Sequence, residues 1–178
     1  TGAIEGDVTV SAGTVTVGAA ADDVTLTVAA DSTLTVASGA TLVLADEMTV
    51  ETATGAGAED DAVLTVDGTI TVGEKVTLTI KGDAVVNGTM DVLSTKNGQG
   101  TVTVDKVTSE TAYTGTLDVA GAVTVGTYND KDAHFTVKGV MSVGTKPTTL
   151  GAGGSAAGTY TIEKGYVKVY AGADVAGA

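Results

Sequence analysis

The chain has 178 residues, of which 43% are hydrophobic and only 3% aromatic, with a net charge of -13 and a pI near 4.1. All nine basic residues are Lys, so the chain lacks the basic surface that binding to a phosphate backbone requires, and nucleic acid is not an expected partner. The sequence contains no Cys, which excludes disulfides and thiolate metal sites. No apolar run approaches the roughly 20 residues of a membrane helix, so membrane insertion is not expected.

Short β-strands are predicted along the whole chain, because Val, Leu or Ile alternates with Thr at a period of two. The first 50 residues predict strands at 8–10, 14–17, 24–28, 33–36, 41–44 and 48–50. From residue 62 the pattern continues at 64–66, 70–72, 76–80, 84–86, 89–92, 101–104, 116–119, 122–125, 134–137 and 140–143, with a last pair near 160–162 and 167–169. Helical periodicity is absent from these segments, which predicts an all-β protein.

The unit at residues 64–72 predicts how consecutive strands are connected. Leu64, Val66, Ile70 and Val72 keep the same parity across an Asp67-Gly68-Thr69 turn, so both strands present their apolar side chains to one interior. A two-residue hairpin would place the second strand's apolar residues on the opposite face, whereas a three-residue hairpin would keep the parity and is an alternative at this unit. The parity therefore favours a β-solenoid with glycine-containing corners; an elongated β-sandwich with strand exchange is the alternative.

The repetition from end to end predicts one domain over residues 1–178. The clearest internal spacing is 18 residues, which separates Leu117 from Phe135 and Val123 from Met141. Coils of 18 to 25 residues would give on the order of eight coils, or a rod about 40 Å long at a strand spacing of about 4.8 Å. Two segments are predicted to be loop excursions: 52–62, which is made of small and acidic residues, and 145–158, which contains the sole proline and a run of small residues.

Enzymatic motifs are nearly absent from the sequence. His134 is the sole histidine, and we find no nucleophile elbow, no zinc-protease helix motif and no phosphate loop. A pair of carboxylates on a solenoid face would suffice for glycoside cleavage, but the Arg, Trp and Tyr that usually accompany such acids are missing or lie elsewhere. The sequence therefore predicts a protein that is not an enzyme and that needs no cofactor.

Clusters of acidic residues in predicted turns supply the oxygen ligands that calcium prefers. The candidate calcium ligands are Asp22, Asp23, Asp60, Asp61, Asp130 and Asp132. None of the clusters matches an EF-hand loop or the nine-residue calcium repeat of β-rolls. The alternative interpretation is that acidic residues occupy these turns because they are soluble and compatible with turns.

Pairs of threonines separated by one residue recur along the chain. They are Thr14/Thr16, Thr25/Thr27, Thr33/Thr35, Thr69/Thr71, Thr77/Thr79 and Thr101/Thr103. In a solenoid such pairs would align into a flat grid of hydroxyl and methyl groups, and the chain is similar in this feature to ice-binding solenoids. Their spacing in the sequence is irregular, however, and Thr is favoured on the outer face of any strand.

The units at 64–72, 117–125 and 135–143 resemble the degenerate repeats of secreted bacterial and archaeal β-solenoid surface proteins. That class includes adhesin passengers and the subunits of extracellular filaments and sheaths. The resemblance is compositional, so it implies a fold and a cell-surface or extracellular location, and no functional residue is carried over from it. The start at Thr1, without Met or an apolar leader, is also what a mature secreted chain would show.

The ends of a solenoid expose strand edges that pair with other chains unless they are capped. Val8 and Val10 lie near one end of the chain, Val167 and Val169 lie near the other, and neither pair is flanked by a predicted helix. We therefore expect a structural subunit that assembles head to tail with itself through these strands. The alternative is an adhesive or carbohydrate-binding surface module that displays its loops, and an ice-binding Thr-rich solenoid is a lesser alternative.

Overall fold

The structure is a computed structural model that describes residues 2–18, 24–45, 48–56, 60–104, 107–109, 112–113, 116–119, 122–128, 131–132, 134–137, 140–143, 155–157, 160–162, 166–169 and 174–175. Three parallel sheets of seven strands each make up the body of the protein. Successive strands along the chain enter sheets A, B and C in turn, so that three strands complete one coil. No helix long and apolar enough to cross a membrane is present in the described part of the chain.

Each sheet contains one strand from each of seven coils, in the order of the sequence. Sheet A consists of β1 (Gly2–Ile4), β4 (Val24–Val28), β7 (Met48–Thr52), β10 (Thr77–Ile80), β13 (Thr101–Val104), β20 (His134–Val137) and β23 (Thr161–Ile162). Sheet B consists of β2 (Val8–Val10), β5 (Thr33–Val36), β8 (Val63–Val66), β11 (Asp83–Val86), β16 (Thr116–Val119), β21 (Val140–Val143) and β24 (Tyr166–Val169).

Sheet C forms the third face of the body. It consists of β3 (Gly13–Val17), β6 (Ala40–Leu44), β9 (Thr69–Val72), β12 (Thr89–Val92), β17 (Ala122–Val125), β22 (Ser155–Ala157) and β25 (Asp174–Val175). Two antiparallel hairpins leave the body at coil corners, β14 (Val107–Ser109) with β15 (Ala112–Tyr113), and β18 (Thr127–Tyr128) with β19 (Lys131–Asp132). The predicted β-solenoid is thereby confirmed.

The unit at residues 64–72 forms a solenoid corner, as its parity predicts. Strand β8 belongs to sheet B and β9 to sheet C, so the chain turns at Asp67-Gly68 from one face of the body to the next. Leu64, Val66, Ile70 and Val72 are all buried. The hairpin interpretation of this unit is wrong, because β8 and β9 are not neighbours in any sheet.

The 18-residue spacing does not describe the stacking of the coils. Leu117 stands in register with Met141 in sheet B, whereas Phe135 stands in register with Val102 in sheet A. The 18-residue spacing therefore relates strands of different sheets. The true coil length varies because segments of unequal length, including the two hairpins, are inserted at the corners. The structure has seven coils where the spacing predicted about eight.

The core is a set of ladders in which each apolar side chain stacks on its equivalent in the next coil. One ladder of sheet B is valine at every level: Val10, Val36, Val66, Val86, Val119, Val143 and Val169. The members whose side chains are described are all buried. Strands about 4.8 Å apart bring β-branched side chains into contact without large residues, which explains how a chain so poor in aromatics encloses a core.

The corner glycines at Gly68 and Gly88 are required by close stacking of successive corners. A Cβ on Gly88 would lie 2.0 Å from the carbonyl oxygen of Gly68. The same two corners are joined by a main-chain hydrogen bond from Thr89 N to Gly68 O of 2.8 Å, and by Asn87 Nδ2, which donates to Asp67 Oδ1 at 2.7 Å. Neither glycine has a positive φ, so packing and not backbone conformation selects glycine here.

Both predicted loop excursions include residues that belong to the body. In the segment 52–62, Thr52 ends β7 and Ala62 is fully buried, which corrects the expectation that the whole segment is solvated. Thr52 occupies a position of the apolar ladder between Val28 and Ile80. Its Oγ1 accepts hydrogen bonds from the main-chain N–H groups of Lys81 (3.0 Å) and Gly82 (2.9 Å), which compensates for burying a hydroxyl.

In the segment 145–158, residues 155–157 form β22 rather than part of a loop. The rest of this predicted excursion lies outside the described residues.

We expect Gly88→Ala to lower the free energy of unfolding by about 1–3 kcal/mol, because the added methyl group forces the Asp67-Gly68 and Asn87-Gly88 corners apart. The matched control is Gly2→Ala, whose Cβ would meet only Leu26 Cδ1 at 3.7 Å, an ordinary contact. Urea denaturation followed by circular dichroism measures both. Equal stability of the two variants would show that corner packing does not select glycine.

Candidate functional site

The first coil leaves the N-terminal end of the core open to solvent. Val8 and Val15 occupy ladder positions whose neighbours in the second coil, Leu34 and Leu42, are buried, yet each valine is 41% exposed. They are two of the three exposed large hydrophobic residues of the described chain, the third being Leu93. No strand of the described chain lies on the outer side of β2 or β3, which leaves these two side chains exposed, whereas Val10 of β2 is buried.

The first coil is nevertheless tied firmly to the second. The main-chain N–H of Gly6 donates to Ser32 Oγ at 2.8 Å, and the N–H of Thr33 donates to Asp7 Oδ1 at 3.2 Å. Because these bonds link corners of successive coils, they hold β1 and β2 in place although their outer edges are unpaired.

The predicted assembly residues lie at opposite ends of the same two ladders. Val8 and Val10 belong to β2, and Val167 and Val169 belong to β24, the two edge strands of sheet B. Val167 is in register with Met141 and Val169 with Val143. The sequence placed these four residues only near the two chain ends, whereas the structure places them on one sheet.

An aromatic pair lies inside the body near the C-terminal end. The rings of Phe135 and Tyr160 pack edge to face with centroids 5.0 Å apart, and Tyr160 donates a hydrogen bond across the core to Val123 O at 3.1 Å. Burial raises the pKa of the Tyr160 hydroxyl. This ring fills the space beyond Phe135 at the point where β23 begins, so the last coil rests on a packed core.

The acidic residues of the described chain do not converge on a metal site. Among the described residues, no group of three or more His, Cys, Asp or Glu side chains is placed to hold a metal ion. Asp61 Oδ1 accepts from the main-chain N–H of Gly55 at 2.8 Å, and the main-chain oxygen of Asp60 accepts from Asp31 N at 2.9 Å. Both residues therefore take part in hydrogen bonds of the 53–62 connection.

The other candidate calcium ligands are not brought into this part of the structure. Asp22, Asp23 and Asp130 lie outside the described residues, and Asp132 is placed only as the second residue of strand β19. Calcium binding at these positions remains a prediction.

Asp91 is an acid that the sequence patterns did not single out. It lies on the outer face of β12, between Thr71 and Thr124 in the ladder of sheet C. Partial burial raises the pKa of its carboxyl group, and a hydrogen bond with Thr124 offsets part of that rise. A charge here is therefore less favourable in the folded than in the unfolded chain.

The outer face of sheet A is the most regular polar surface of the described chain. Its outward positions are Ala3, Thr25, Thr27, Thr49, Glu51, Thr77, Thr79, Thr101, Thr103, His134, Thr136 and Thr161. We call this surface the threonine face. Three of the six threonine pairs, Thr25/Thr27, Thr77/Thr79 and Thr101/Thr103, lie on this face, where in-register stacking aligns them into rows. Thr14/Thr16 and Thr69/Thr71 lie on sheet C, and Thr33/Thr35 lies on sheet B.

Three positions of the threonine face are not threonine: Ala3 at its N-terminal edge, Glu51 and His134. Glu51 lies beside Thr27, whose Oγ1 donates to Glu51 Oε1 at 3.5 Å, and its other carboxylate oxygen is 2.5 Å from Lys81 Nζ. His134 is exposed and stands in register with Thr101.

Comparison with known proteins does not assign the chain to a class. No protein-family model, no curated protein and no solved structure matches it.

We expect Asp91→Asn to raise the free energy of unfolding at pH 7. A raised pKa in the folded state means that stability falls as pH rises from the ordinary carboxyl value of 3.8 to the raised value, and the full penalty is present above both. The gain from Asn should therefore shrink as pH falls and vanish below pH 3.8. Urea denaturation at several pH values measures it, with Glu5→Gln at an exposed corner as the control. A gain that persists at low pH would contradict the burial explanation.

Proposed function

We propose that the protein is a non-enzymatic structural subunit that polymerises head to tail, with the first coil of one copy stacking on the last coil of the next. The observation that carries the proposal is the open N-terminal end, where Val8 and Val15 are each 41% exposed. At a rate of about 25 cal/mol per Å² of apolar surface, covering such side chains stabilises a complex. Unpaired main-chain groups along β1, β2 and β3 add hydrogen-bonding sites on the same end.

The occupant that fits this end best is the last coil of a second copy, because the end coils carry the same residue types at equivalent ladder positions. Continuing each ladder from one copy into the next would pair Ile162 with Ile4, Val167 with Val8, Val169 with Val10, and Val175 with Val15. The contact would repeat the β-branched ladders that already form the core.

Such a contact joins two different surfaces of the subunit, so it generates an open filament unless a rotation closes a ring. A straight solenoid that stacks end on end has no reason to close, because each copy continues the axis of the one before it. The product of this assembly is a continuous rod with three long sheets.

We expect the double variant Val8→Lys/Val15→Lys to remain as single rods under conditions in which the unmodified chain forms filaments. Two ammonium groups in the contact would have to be desolvated without partners, whereas in the free subunit they stay in water. The control is Leu93→Lys, because Leu93 is 39% exposed but lies on the connection after β12, away from both ends. Negative-stain electron microscopy and sedimentation at increasing concentration distinguish filaments from rods.

Filaments of the Val8→Lys/Val15→Lys variant would overturn the proposed contact, and so would an unmodified chain that stays as single rods at every concentration. Circular dichroism and a thermal melt of each variant establish that a loss of filaments is not a loss of fold.

The register of the contact is testable because the chain contains no cysteine. Thr9 and Lys168 are outward positions of β2 and β24, on one ladder of sheet B. We expect Thr9→Cys/Lys168→Cys to form disulfide-linked oligomers on mild oxidation, since facing residues of adjacent strands lie within the Cα–Cα range of about 4.4–6.8 Å. Thr65→Cys/Lys168→Cys is the control, because Thr65 lies in the middle of the rod. Equal cross-linking of both variants would contradict the register.

The extracellular location and the adhesive or carbohydrate-binding alternative remain predictions from the sequence. The cysteine variants also bear on that alternative, because a module that only displays loops has no reason to cross-link through β2 and β24.

A further inference from the structure

The threonine face has a two-dimensional periodicity that the proposed assembly does not use. From β4 to β13 the register is continuous, with Thr25, Thr49, Thr77 and Thr101 in one row. The parallel row contains Thr27, Glu51, Thr79 and Thr103. Rows of a sheet repeat at about 4.8 Å across the strands and at about 6.6 Å between alternate residues along a strand.

The groups on this lattice are held rigidly. Threonine is stiff at χ1, and these side chains are half-buried between their neighbours, so each hydroxyl and methyl has little rotational freedom. The paired, in-register strands beneath them do not bulge. A partner that binds this surface therefore encounters a fixed array and not a set of mobile side chains.

The face is nearly neutral although the chain has a net charge of -13. Between β4 and β13 its one charged outward residue is Glu51, which is compensated by Lys81 at 2.5 Å. A nearly neutral surface offers no electrostatic attraction to a cation or to a polyanion. The chemistry instead favours a neutral partner that accepts and donates hydrogen bonds at regular intervals.

We propose that the threonine face binds ice. A hydroxyl group both donates and accepts hydrogen bonds, as water does, and the adjacent methyl group fixes the shape of the water layer above it. A crystal of water is a rigid, neutral partner with repeats close to those of adjacent strands and alternate residues. From β4 to β13 the threonine face presents both groups at every outward position except Glu51.

Thermal hysteresis and the inhibition of ice recrystallisation test this proposal on the 178-residue chain. We expect the unmodified protein to show both activities, and Thr77→Lys/Thr101→Lys to lose most of each, because two long charged side chains hold the lattice away from ice. The matched control is Thr69→Lys/Thr89→Lys, a pair in the same register on adjacent strands of sheet C. It creates the same local charge repulsion on a different face.

A gain-of-function variant separates ice binding from a general effect on folding. Glu51→Thr completes the second row from β4 to β13 and releases Lys81, which is partly exposed, into solvent. We expect Glu51→Thr to increase thermal hysteresis above that of the unmodified chain, whereas Asp91→Thr, which places threonine on sheet C, should not.

Three results would overturn the proposal: an unmodified chain without ice activity, equal losses in the sheet A and sheet C lysine variants, or no gain from Glu51→Thr. Binding of the unmodified face to a glycan without any effect on ice would also overturn it. The proposal involves neither end coil, so its failure would leave the head-to-tail proposal intact.

Discussion

The structure depends on one constraint, which is that every strand must lie in register on the equivalent strand of the coil before it. Parallel stacking at about 4.8 Å satisfies the main-chain groups of the inner coils and, in the same step, brings like side chains together. The ladder from Val10 to Val143 shows the result, since each described member is buried, the inner ones between two neighbours. Gly68 and Gly88 are glycines for the same reason, because the corners must approach as closely as the strands.

The same constraint explains the properties of the ends and of the outer faces. An inner coil is covered on both sides, whereas the first coil is covered on one, so Val8 and Val15 remain exposed although Leu34 and Leu42 are not. Register also aligns the outward side chains, which brings three of the threonine pairs into the rows of sheet A. The two proposals therefore concern separate consequences of one geometry, the end of the stack and its side.

Much of the fold was predictable from the sequence. The register between coils was not, and the reason is physical. Parity across Asp67-Gly68 identified the corner, because alternation along a strand is a local property. The pairing of Leu117 with Met141 was not predictable, because register between coils depends on how many residues loop out at each corner. An insertion at a corner changes the sequence spacing without changing the stack. The 18-residue spacing was misleading for this reason.

Three features of the structure also had only a partial signal in the sequence: the burial of Thr52, the exposure of Val15 and the alignment of the threonine rows. The sequence alone predicts Thr52 in a polar loop, yet its hydroxyl accepts two main-chain hydrogen bonds inside the core. The exposure of Val15 depends on its being in the first coil, which only the strand order establishes. The threonine rows could be listed as pairs, but their alignment required the register.

The measurement that tests the central claim most directly is the axial rise of the assembled polymer, determined by cryo-electron microscopy. If the last coil of one copy continues into the first coil of the next, each subunit adds seven coils, and the rise is about 34 Å along a filament with a continuous 4.8 Å strand repeat parallel to its axis. A rise near twice that value would indicate copies joined head to head and tail to tail. A particle population of single rods, or strands stacked in a direction other than the filament axis, would also contradict the account.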